Sequence, residues 1–223
     1  MIRVMRIGVS KGMTVSLYTI NVKLNNKNCL VVGAGNVSER KVKGLLESGA
    51  NITVISPEFT EGILSLKEHP KLKLVAGEFQ EDDLEGMFLV IIATNNKNLN
   101  SKIAALCNEK NILTNAADNP EMSSFFVPSV VRRGDLSIAV STGGKSPALA
   151  SKISSELLNR FDEKYEKYIY ILGEVRDWAK AEVKDSLKRK EILTKLPEID
   201  IDELIKLYDD DLIRERLYKC ISL

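Results

Sequence analysis

An apolar run, Asn28-Cys29-Leu30-Val31-Val32, leads directly into Gly33-Ala34-Gly35-Asn36-Val37-Ser38, and no other segment constrains the fold as much. A buried strand that stops in a tight glycine turn and restarts as a helix presents bare backbone N–H groups and a helix N-terminus, which suits a phosphate. The first glycine permits the turn. The second lets a pyrophosphate approach the backbone, and the third position needs a small residue, here Ser38, so that helix and strand can pack. In this setting the segment points to a dinucleotide, with a plain structural turn as the competing reading.

The elements around it alternate. Residues 18–24 alternate apolar and polar side chains, and Asn25-Asn26-Lys27-Asn28 turns them into the strand before the glycines. A helix is expected over residues 37–47, closed by Ser48-Gly49 as a glycine C-cap dictates. Strands follow at 51–55, 71–76, 88–93 and 112–115, with a short helix at 61–68 and a longer one at 98–109. Strand 88–93 is apolar throughout, as strands covered on both faces tend to be. Strands separated by helices at this spacing imply right-handed crossovers and a parallel sheet. The expected class is α/β: a Rossmann-type parallel sheet with helices on both faces, then a small β-containing segment and a helical C-terminal domain. Runs 126–131 and 136–141 are β-like and joined by Arg132-Arg133-Gly134-Asp135, as a hairpin or a wider return. From Pro147 onward helix formers dominate, with a break at Leu196-Pro197. The domain reading is 1–117 for the nucleotide fold, 118–146 for a dimerisation and active-site segment, and 147–223 for the helical domain.

Composition narrows the functional classes. With 44% hydrophobic residues in 223, the chain can bury a sizeable core. Basic residues number 32 against 31 acidic ones, so no global positive field recruits nucleic acid, and any anion is met locally. Cys29, Cys107 and Cys220 are odd in number and widely spaced, which reads as reduced thiols in a cytoplasmic protein, two of them in the core. No run approaches the roughly 18 apolar residues of a membrane helix. Residues 1–12 are too broken for a signal peptide and read as a disordered extension, with Met13 as an alternative start.

The cofactor is expected to be NAD. Past the second strand, where an acid grips ribose hydroxyls and a base accommodates the NADP phosphate, stands Ser56-Pro57-Glu58-Phe59-Thr60, with no Lys or Arg. Glu58 serves equally well as a solvated acid at a helix entry. Thr94 and Asn95, small and polar at the end of the fourth strand, can line a cofactor cleft. Asp118 follows the fifth strand on the edge where such sheets bind ligands, which makes it a candidate general base; a turn-capping aspartate is the alternative. Ser141-Thr142-Gly143-Gly144-Lys145-Ser146-Pro147 joins a strand to a helix, with Ser146 as N-cap and Pro147 as first helical residue. Its Lys145 and glycines make a pocket for a carboxylate, or merely a capped connection. It is not a P-loop, because the first glycine of that motif would fall on Ala139. The lone His69 reads as a surface turn residue, and no His or Cys cluster argues for a resident metal.

Taken in order, Cys29-Leu30-Val31-Val32-Gly33-Ala34-Gly35-Asn36-Val37-Ser38-Glu39-Arg40-Lys41, Ala93-Thr94-Asn95-Asn96, Asn115-Ala116-Ala117-Asp118, Ser124-Phe125-Phe126-Val127-Pro128-Ser129 and the segment from Ser141 to Pro147 resemble the siroheme synthase family over residues 18–158. Ser38 replaces a commoner alanine, and Thr142 stands where some relatives have serine. The resemblance implies NAD-dependent oxidation of precorrin-2 to sirohydrochlorin, with ferrochelatase activity on Fe(II) in some members. It places Asp118 on the family's essential aspartate, and Asn36, Val37, Pro57 and Glu58 near the dinucleotide. Ser141, Thr142, Gly143, Gly144, Lys145 and Arg132, with Arg133, would then meet substrate carboxylates, unless the arginines form an exposed hairpin tip. It also implies a homodimer with chain exchange between subunits. Two other readings compete: a regulatory Rossmann domain that senses NAD without catalysis, and an oligomerising scaffold with a vestigial glycine turn.

Overall fold

A computed structural model describes residues 17–117 and 119–209. Residues 1–12, Met13, Asp118 and Cys220 therefore lie outside the described residues. The chain divides into two units, with the boundary between Phe126 and Val127.

In the first unit, β1 (Asn28–Val32), β2 (Asn51–Ser56), β3 (Leu72–Ala76), β4 (Leu89–Ile92) and β5 (Leu113–Ala116) form a five-stranded sheet in the order β3-β2-β1-β4-β5. Every neighbouring pair is parallel. The helices are α1 (Asn36–Glu47), α2 (Glu61–Leu64) and α3 (Lys97–Glu109). Because side chains alternate across a strand, β1 feeds two cores. Leu30 and Val32 join Val90, Ile92, Ile103, Ala104 and Cys107 on the α3 face. Cys29 and Val31 join Val42, Leu45, Val54, Ile63 and Ile91 on the face of α1 and α2. Sequence order reverses on either side of β1, so the cleft outside the carboxyl ends of β1 and β4 is the topological switch point where ligands bind in such sheets.

Several local expectations shift. Residues 17–24 carry no regular structure, and Tyr18 and Ile20 are exposed. α2 is shorter than expected and stops at Leu64. Leu66 N–H and Lys67 N–H bond the carbonyls three residues back, the Ser65 hydroxyl donates to Gly62 O, and Pro70 follows. Such bonds tighten a helix into its end, so residues 65–68 continue as turns.

In the second unit, β6 (Ser129–Arg133) and β7 (Leu136–Val140) form an antiparallel pair, followed by α4 (Pro147–Arg160), α5 (Lys164–Glu182), α6 (Ser186–Lys195) and α7 (Ile201–Asp209). The hairpin connection is Gly134-Asp135, with Gly134 at φ +52°, rather than the longer tip expected. Pro128, which lacks an N–H for a ladder, precedes the first strand residue, and both arginines are drawn into β6, where Arg132 faces Ser137 and Arg133 faces Leu136. The helices close on Ile171, Val175, Leu196 and Leu204. Leu196-Pro197 lies in a short 3-10 turn, as its break in the helical pattern suggested.

Candidate functional site

The carboxyl edge of the sheet is stitched together strand by strand. Gly33 N–H donates to Ile55 O at 2.8 Å, Ala93 N–H to Val32 O at 2.9 Å, and Ala117 N–H to Ile92 O at 2.9 Å. The ends of β1, β2, β4 and β5 therefore terminate in register, and the glycine turn, the 57–60 loop, the 93–96 loop and the turn after β5 open on one edge.

The two glycines of the turn have different physical reasons. Gly33 sits at φ +98°, and a Cβ there would lie 2.4 Å from Ala93 O, so the turn packs against the end of β4 and only glycine fits. Gly35 has φ −83° and ψ −176°, ordinary extended backbone, and a Cβ there would meet nothing within 4 Å. Among the described residues nothing requires glycine at that position. Gly35 is the N-cap of the 12-residue α1 and supplies no side-chain cap, so the amides of the first turn receive no acceptor from its side chain and the space beside it is open. That space is a cradle a side chain would block, at the positive end of a helix dipole, and its chemistry fits a pyrophosphate. Asn36 and Val37 are exposed beside it, whereas Ser38 is fully buried with its hydroxyl unpartnered, the small third residue at the helix-strand contact.

Pro57 and Glu58 leave β2 exposed to solvent, and Thr60 N–H donates to Ala34 O at 3.2 Å, which ties their loop to the glycine turn. Thr94 is held more firmly. Its hydroxyl donates to Asn100 Oδ1 and accepts from Asn96 N–H at 3.1 Å, while Asn100 Nδ2 donates to Thr94 O at 3.0 Å. Asn96 in turn caps α3 by accepting from Leu99 N–H. Asn95 is exposed between these anchors. Asn100 is 2% exposed and escaped the sequence reading, although its spacing of four from a helix-capping asparagine was a usable signal.

Asp118 lies outside the described residues, but its neighbours on both sides are placed. Ala117 is bonded to the end of β4, and Asn119 N–H reaches back to Ala116 O at 3.4 Å. Ser123 and Ser124, also missed, bond to the backbone of β5. Sequence gave no sign of these contacts, which join residues seven and ten positions apart.

The remaining candidates belong to the second unit. Gly143 and Gly144 have φ +61° and +79° with open space where a Cβ would be. Ser141 Oγ accepts from Gly143 N–H, Thr142 Oγ1 from Ser146 N–H at 3.0 Å, and Ser146 Oγ from Leu149 N–H at the start of α4. The turn is thus internally braced and presents Lys145 to solvent. Arg132 is exposed on β6. Arg133 is committed elsewhere: its guanidinium donates to Leu158 O at 3.2 Å and to Arg132 O, so it closes the end of α4.

Comparison with known proteins adds the following. Residues 20–129 match a family profile described as "Putative NAD(P)-binding", and residues 133–157 one described as "Sirohaem biosynthesis protein central". A siroheme synthase of Thioalkalivibrio sulfidiphilus is 32% identical over 205 residues, 92% of this chain and 42% of that protein. One of Psychromonas ingrahamii is 42% identical over 138 residues, 62% of this chain and 29% of that protein. The chain thus spans less than half the length of these curated relatives. A solved structure titled "SirC, precorrin-2 dehydrogenase" matches with a TM-score of 0.70 and 28% identity, covering 92% of this chain and 99% of that one.

Proposed function

The chain belongs to the siroheme synthase family, and from that premise we propose that it is an NAD-dependent precorrin-2 dehydrogenase. The observation that carries this reading is the open cradle at Gly35, a glycine that neither backbone conformation nor packing demands. NAD, when bound, accepts a hydride. The amides of the first α1 turn would hold its pyrophosphate, and Glu58 would meet the adenosine ribose. With no Lys or Arg among residues 56–60 to take a 2′-phosphate, NAD is preferred over NADP. Thr94 and Asn95 line the cleft from the end of β4.

Oxidation of precorrin-2 to sirohydrochlorin removes two electrons and two hydrogens: one leaves as hydride to NAD⁺, giving NADH, and one as a proton. Asp118 is the base that accepts that proton. Its chain position, directly after a strand end bonded into the sheet, supports the role. Lys145, on its braced Gly-rich turn, and Arg132 neutralise carboxylates of the tetrapyrrole, with Ser141 and Thr142 shaping the turn.

We further infer a cytoplasmic homodimer. The β6–β7 hairpin is a two-stranded sheet whose outward side carries Val130, Arg132, Ser137 and Ala139. Two-stranded ribbons are marginal on their own, and Leu149 and Leu158 of α4 are exposed nearby in sequence. Purified protein incubated with precorrin-2 and NAD should form NADH with the sirohydrochlorin spectrum, and later addition of Fe(II) reads out metal insertion. Tight NAD binding without NADH formation would instead favour a sensor.

A further inference from the structure

We propose that Glu39 is a positioning residue: seated in the notch left by Gly62, its side chain holds the 57–60 loop at a fixed distance from the glycine turn and so sharpens the preference for NAD over NADP. The inference rests on the reading of Glu58 as the acid that meets the adenosine ribose. The amides proposed to take the pyrophosphate belong to α1, whereas Glu58 lies between β2 and α2. One cofactor must span both, so the spacing between these elements decides whether the two grips are made together, and a spacing set in advance lowers the cost of binding.

Three contacts set that spacing. Thr60 N–H donates to Ala34 O at 3.2 Å, which brings the loop to the turn, and Glu39 N–H donates to Gly35 O at 3.1 Å, which ties Glu39 to the same turn. The third is a side-chain contact. A Cβ at Gly62 would overlap Oε2 and Cδ of Glu39 and lie 2.7 Å from its Oε1. Gly62 is the second residue of α2 and its backbone is helical, so conformation does not ask for glycine there; the Glu39 carboxyl group does. Lys43, one turn further along α1, holds Glu39 Oε1 at 2.6 Å, and the Glu39 side chain is 25% exposed against 50% for its partner. A solvated glutamate would spread into water, whereas this one is turned onto the neighbouring helix. The usual side-chain anchor of a helix start is missing here: Thr60, at the N-cap of α2, makes no side-chain cap bond, and its hydroxyl is buried without a partner among the described residues. Ile63 packs α2 down onto the sheet. Glu39 is what fixes it sideways against α1.

The test measures NAD and NADP affinity by calorimetry in the full chain for Glu39→Ala, Glu39→Gln, Gly62→Ala, the Glu39→Ala/Gly62→Ala pair and Glu58→Ala, with the unfolding midpoint of each. A general loosening of the fold weakens both cofactors alike, so the ratio of the two affinities is the readout. Glu58→Ala should lower the NAD-to-NADP ratio about tenfold. Gly62→Ala, whose methyl displaces a flexible side chain and suits a helix, should unfold near the wild-type midpoint yet lower the ratio about threefold. Glu39→Ala should lower it to a similar extent. Glu39→Gln keeps the shape of the side chain and should keep the ratio. In the pair the new methyl takes the space that the carboxyl group vacates, so the two losses should not add. Wild-type ratios in Glu39→Ala and Gly62→Ala beside a lowered ratio in Glu58→Ala would overturn the inference, as would losses that add in full or a Glu39→Gln as impaired as Glu39→Ala. An unchanged ratio in Glu58→Ala would instead overturn the reading of Glu58 as the ribose acid.

Discussion

At the scale of single residues, the turn separates two uses of glycine that look identical in sequence. Gly33→Ala meets a positive φ and a carbonyl oxygen at once, and should destabilise the fold by at least about 2 kcal/mol in denaturant unfolding. Gly35→Val meets neither obstacle, and should unfold near the wild-type midpoint while losing NAD binding by calorimetry. Retained affinity would move the site elsewhere. If Asp118 is the proposed base, Asp118→Ala should keep NAD affinity and cut turnover roughly 10²-fold or more. Near-normal turnover would return Asp118 to a turn-capping role.

Among the elements, α3 shows how a helix can serve a cleft through one buried amide. Asn100→Leu removes the Asn100 bonds to the Thr94 carbonyl and hydroxyl, leaving the hydroxyl only its contacts with Asn96, so a loss of about 1 to 3 kcal/mol is expected, with weaker NAD binding because the 93–96 loop is freed. Unchanged affinity in that variant would uncouple the loop from the cofactor. The strands of the first unit were legible because apolar runs punctuated by glycine, asparagine and proline leave little choice of element: Leu89–Ile92 needs two covered faces, and β1 needs the turn that ends it. The hairpin was misplaced by about two residues because its glycine could close either a wide tip or a tight one, and only pairing with β7 selects between them. Ser123 and Ser124 were illegible for a different reason. Their partners are backbone atoms, which carry no side-chain signature in the sequence.

For the whole molecule, titration of the core sets an alkaline limit. Burial pushes the Cys29 thiol from 9.0 up to about 11. The unfolded chain then releases this proton first, so the stabilisation is complete below about pH 9 and is lost as pH rises toward 11. The contribution is on the order of 2 kcal/mol. Unfolding free energy should fall across that window, and Cys29→Ala, though less stable at neutral pH, should show a shallower fall; an unchanged slope would assign the limit to other groups. The homodimer is checked by light scattering at micromolar concentration, where a strictly monomeric mass would refute it. Finally, the vacancy beside Gly35 sets natural selection against thermal selection. An aspartate or serine there would cap α1, which now has no capping side chain, and would restrict the unfolded chain as well. Heat-based screening of the ligand-free protein should enrich such variants, and under the proposed function the same variants should fail to complement a strain that depends on this protein. An unusually heat-tolerant homologue with a side chain at this position would be expected to have given up the dinucleotide.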